Sequence, residues 1–168
     1  MKKQMTMKAY MLQKCFIEYG IINGIINVII FNILEGKHPD ATFGLMDIIA
    51  DFGFTTFLLG IILFYYAMSM TSKDLDKGKF TVEEYKDNKL VSMLPKKKFP
   101  AAICVGLIVM IATAAVVLVI SMALPLPLNV KNMGLFKGVA CTIAGAITGY
   151  LTITNVSSTC EESLSKCA

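Results

Sequence analysis

AAICVGLIVMIATAAVVLVISMA, residues 101–123, passes without a single charged side chain. A helix on the surface of a soluble domain keeps a polar face with regular charges, and this stretch has none. About 20 consecutive apolar residues are what a helix needs to cross roughly 30 Å of hydrocarbon. Three more blocks of that kind lie at Cys15 to Leu34, Gly44 to Met70 and Gly134 to Val156. Over all 168 residues the chain is 55% hydrophobic and 17% charged, against about 25% charged in soluble domains. The sequence reads as an all-α integral membrane protein, four transmembrane helices in one bundle and one domain. The helices are expected over about residues 13–34, 44–70, 100–124 and 134–156, with a loop at 71–99 and a tail at 157–168.

The basic residues orient it. All are lysines: four precede the first block, eight lie between the second and third, and one is in the tail. The other side of the membrane receives Lys37, Lys131 and Lys137 alone. Loops rich in Lys and Arg stay in the cytoplasm, so both termini are expected there. Topology accounts for the net charge of +4, and no nucleic-acid partner is needed to explain it. The first block is too long for a cleavable signal peptide and no small-residue cleavage site follows it. Lysine without arginine, with much Ile and Asn, suggests an AT-rich bacterial genome and hence a multi-pass protein of the bacterial cytoplasmic membrane. The five cysteines, Cys15, Cys104, Cys141, Cys160 and Cys167, form no C-x-x-C pair. In a reducing compartment they read as small apolar residues rather than disulfides or ligands.

The first outward loop, Glu35 to Phe43, is short and contains Gly36, Pro39 and Asp40, all turn formers. In the long loop, Thr81 followed by Glu84 has the spacing of a capping box. Val82, Tyr85, Leu90 and Met93 would then line a short amphipathic helix on the membrane surface. Lys96, Lys97 and Lys98 precede the third span, and Pro100 suits its first turn.

Lipid tails are as apolar as leucine, so helices in a bilayer associate through close packing and hydrogen bonds. Helix 4 carries small residues at three- and four-residue spacing: Gly138, Cys141, Thr142, Gly145, Thr148, Gly149 and Thr152. Helix 1 has a matching stripe of Gly20, Asn23, Gly24 and Asn27. These faces serve packing within one bundle or an interface between two copies. Helix 3, rich in Val, Ile and Leu, is expected to be the most lipid-exposed.

Polar groups within the spans need an explanation, because charges near the bilayer centre are costly. Asp47 and Asp51 lie four residues apart on one face of helix 2, and Thr55 continues that face. Helix 1 adds Asn27, Asn32 and Glu35, and the loop adds His38 and Asp40. Together they are expected to form an acidic vestibule on the extracytoplasmic side. Two mutually repelling carboxylates backed by amide and hydroxyl oxygens suit a hard cation or a proton. A lone histidine does not make a zinc site. Glu18 follows Lys14 by one turn and is expected to pair with it.

The leading functional reading is a small cation- or proton-coupled transporter or channel. The alternative is a non-catalytic membrane subunit or adaptor that binds another membrane protein, gripped through the glycine face of helix 4 or through the charged cytoplasmic segment between helices 2 and 3. No cofactor motif is present. Catalysis is not expected: aspartyl intramembrane proteases carry their aspartates on different helices, one in a G-x-G-D motif that this sequence lacks.

Overall fold

A computed structural model of the chain describes residues 5–80, 91, 93–95, 97–123 and 125–165, with 160–165 in backbone only. The capping box at Thr81 and Glu84 and most of the expected amphipathic helix lie outside the described residues, as does Lys96. Among the described residues four helices are long and apolar enough to cross a membrane, the architecture of a multi-pass all-α protein. They are α1 (Met7–Glu35), α2 (Leu45–Asp76), α3 (Lys98–Ser121) and α4 (Val130–Ser165).

Local chemistry sets the helix ends. The Thr6 hydroxyl accepts from the Ala9 N–H at 3.4 Å and starts α1, six residues before the hydropathy pattern implies. Residues 13–21 of α1 are π-helical, and the i→i+5 bonding brings residues five apart, such as Cys15 and Gly20, onto one side. After Glu35 the chain turns through backbone bonds from His38 N to Glu35 O and from Ala41 N to His38 O. The Asp47 side chain reaches back to accept the Gly44 N–H at 3.0 Å, capping α2. At the other end of α2, Gly78 takes φ 63°, a left-handed conformation that glycine adopts without a steric penalty.

The inter-helix loops carry two short strands, β1 (Thr42–Phe43) and β2 (Leu128–Asn129). They pair antiparallel, Thr42 opposite Asn129 and Phe43 opposite Leu128. This clip joins the two helical hairpins at one end of the bundle, the loop end; the start of α1 and the end of α4 lie toward the other, the terminal end.

The helix pairs in close contact are α1 with α4, α2 with α3, α2 with α4, and α3 with α4. Helix α4 is therefore the hub. In its most apolar 18-residue window 61% of residues are buried, against 22% in α1, 33% in α2 and 28% in α3. The expectation that α3 stands out as the most exposed helix is not met, because α1 buries as small a share of its apolar stretch. The reason is that α1 packs closely on one neighbour and leaves a stripe of Ile17, Ile21, Ile25, Ile29 and Ile33 outside. Helix α3 instead buries Ala101, Ala102, Val105 and Val109 and meets α2 where a Cβ on Gly60 would stand 2.9 Å from the Gly106 Cα.

The glycine stripes of α1 and α4 face each other. A Cβ on Gly145 would collide with the Tyr19 carbonyl oxygen and lie 2.8 Å from its carbon. One on Gly24 would collide with the Thr142 hydroxyl and stand 2.7 Å from the Gly138 carbonyl oxygen. Gly149 holds the Tyr19 ring and Cys15 in the same way. Because a backbone carbonyl cannot swing aside, we expect Gly145→Ala to lose about 1–3 kcal/mol of stability through overpacking. Gly53, with nothing within 4 Å of its would-be Cβ, serves as the control. Gly53→Ala should be neutral or stabilising by up to about 1 kcal/mol from helix propensity. Unfolding of both variants in mixed micelles checks the contrast.

A charged cleft at the loop end

Asp47, Asp51 and Thr55 occupy one face of α2, spread over about 12 Å of helix. Opposite them α1 presents Asn27, Ile30, Phe31, Leu34 and Glu35, and Thr42 and Phe43 of β1 close the end. Between these walls is a cavity of about 650 Å³, with Lys137 of α4 among its lining residues. The cavity lies where, at the loop end, α1 leans on α4 and stands off α2.

Lys137 decides the electrostatics. Its Nζ donates to both carboxylate oxygens of Asp51 at 2.8 Å each. The lysine is 9% exposed and its ammonium also lies 5.2 Å from the centre of the Phe31 ring, within cation–π range. The Asp51 side chain is 36% exposed and keeps contact with the cleft. Asp51 is therefore one half of an ion pair, rather than a bare carboxylate facing a repelling Asp47.

Five of the residues singled out from sequence line the cleft: Asn27, Glu35, Asp47, Asp51 and Thr55. Two do not. The Asn32 amide turns back to donate to the Val28 carbonyl of its own helix at 2.7 Å, and His38 is exposed in the turn after α1. Asn27 likewise donates to its own helix, at the Asn23 carbonyl. Among the described residues no group of three or more His, Cys, Asp and Glu side chains is placed to hold a metal ion.

Lys137 is the residue the sequence reading passed over, counting it only as a loop charge. Its signal was legible in principle. A lysine within an apolar block needs a counter-ion at its own depth, and Asp51 is the acid of helix 2 that qualifies.

A second ionic cluster ties α1 to α2 at the terminal end. Lys14 and Glu18 pair at 2.5 Å, and Lys14 also approaches Asp74 at 3.6 Å. Asp74, 2% exposed, further receives Lys79 at 2.6 Å and the Tyr10 hydroxyl at 3.1 Å. Tyr10 stacks on Phe80 with ring centres 4.1 Å apart. This clamp satisfies its own charges.

Fold and cleft together define a four-helix membrane protein with an internal ion pair facing a polar-floored cleft. Comparison with family models, curated proteins and solved structures finds no match to this chain.

Breaking a buried pair from one side leaves the other charge uncompensated. Asp51→Asn strands the buried Lys137 and is expected to lose about 3 kcal/mol. Lys137→Met should lose less, because Asp51 can hydrate through the cleft. The Asp51→Asn/Lys137→Met double variant should recover part of the loss. Micelle unfolding of the four proteins closes the cycle; strictly additive losses would mean that the two groups are not coupled.

Proposed function

We propose that this chain is a small, non-catalytic transport protein of the bacterial cytoplasmic membrane that takes up a cation from the extracytoplasmic side through the cleft. The observation that carries the reading is the Asp51–Lys137 pair. Two ionisable side chains inside apolar spans are expensive, and these two line a cavity rather than a sealed core. The lysine distribution supports the orientation. The loops at the terminal end are lysine-rich and are read as cytoplasmic, so the cleft opens outward.

The pair supplies a switching element. A cation arriving at Asp51 competes with the Lys137 ammonium, and a proton taken by Asp51 has the same effect of releasing the lysine. Either event changes the charge state between α2 and α4 beside a helix, α1, that is free on its lipid side. Of the two grips an adaptor could offer, the glycine face of α4 is covered by α1, which leaves that reading the lysine-rich segment between α2 and α3.

Flux of protons and of monovalent and divalent cations into proteoliposomes tests the proposal. The comparison is wild type against the charge-neutral Asp51→Asn/Lys137→Gln variant, shown to be folded by gel filtration. Uptake in the wild type that falls at least about tenfold in the variant is expected, the size of effect that losing roughly 1.4 kcal/mol of binding produces. Absence of flux for every ion in the panel, organic cations included, would falsify the transport reading.

A further inference from the structure

We infer that the cation this cleft accepts is an amphipathic organic one, a diffuse positive centre on an apolar body, reaching the site sideways from the surrounding lipid. The inference rests on the transport reading for its direction of travel, but its binding step stands on the geometry alone.

Size is the first argument. A cavity of about 650 Å³ is in the range of small-molecule sites, about 300–1,000 Å³. A bare metal ion needs converging ligands within about 2.6 Å, and the acidic side chains here are not placed to converge on one. The walls are the second argument. Ile30, Leu34 and Ala50 give the cleft an apolar flank, and the Phe31 and Phe43 rings meet at a corner, centres 5.7 Å apart and tilted by 55°. Phe31 is buried and already has the Lys137 ammonium over its ring, so Phe43 is the ring left to attract a diffuse cation through its face.

Charge is the third. Glu35, Asp47 and Asp51 face a single lysine. Lys137 is bound to Asp51 and one Asp47 oxygen is taken by the Gly44 N–H. The Glu35 carboxylate has no hydrogen bond or ion pair with any described residue, which leaves the cleft with uncompensated negative charge. The mouth is the fourth. Ile30 is 49% and Leu34 64% exposed while both line the cleft, so its opening is bordered by apolar side chains. An occupant must therefore present hydrocarbon to the mouth and positive charge to the floor.

Tetraphenylphosphonium and tetraphenylborate, alike in shape and opposite in charge, are the probes. Titration calorimetry of the purified full chain in micelles, with empty micelles subtracted, should show saturable binding of the phosphonium and none of the borate. Glu35→Gln/Asp47→Asn should weaken phosphonium binding about tenfold, since the two together remove the unpaired negative charge of the cleft. Ala50→Phe, which fills the cleft from an exposed position and leaves every charge in place, should abolish it. Equal binding of both probes, no phosphonium binding, or an unchanged affinity in the charge variant overturns the inference. So does displacement of the phosphonium by micromolar Mg²⁺ or Ca²⁺. Binding without flux supports this inference and retires the transport reading; flux of inorganic cations without phosphonium binding does the reverse.

Discussion

At Gly145 the backbone of α4 comes so close to the Tyr19 carbonyl of α1 that a methyl group has no room. In lipid there is no hydrophobic drive to bring two helices together, so such close approaches are what hold them. Three consequences follow from this contact. Helix α1 is committed to α4, and Gly24 and Gly138 continue the seam toward the loop end. Helix α4 then has neighbours on several sides and becomes the most buried helix. Helix α1, having spent its smooth face on α4, meets α2 only toward the terminal end, and the space left between them at the loop end is the cleft.

Polar side chains in the rest of the bundle are quiet for a different reason. Thr56, Thr142, Thr148, Thr152 and Ser157 each donate to the carbonyl four residues earlier in their own helix. A hydroxyl satisfied in this way presents a small, nearly apolar surface to its neighbour and makes no demand on it. The charges are instead concentrated near the two ends of α2, at Asp51 and Asp74, about 35 Å apart along the helix axis. Each is paired with a lysine from another helix, Lys137 and Lys14. The difference between them is access. Asp74 is sealed by Tyr10, Lys79 and Lys14, whereas Asp51 looks into a cavity. One end is closed over its charges and the other opens on a cleft.

Charge-free length, small-residue spacing and the four-residue step from Asp47 to Asp51 to Thr55 are properties of a chain read along itself. Through them the sequence by itself determined the four helices, the two stripes and the shared face of α2, because helical periodicity converts spacing into direction. It misjudged helix ends where a side-chain cap such as Thr6 overrides hydropathy. It also misjudged the exposure of α3, since exposure depends on how many neighbours a helix has. Only the tertiary structure decided that the two glycine stripes meet each other, that β1 pairs with β2, and that Asp51 faces Lys137 across 86 positions of chain. Periodicity fixes the direction of a side chain relative to its own helix axis, but a salt bridge or a cleft depends on the position and rotation of a second axis. Those are set by steric fit between whole helix faces, down to the missing methyl at Gly145.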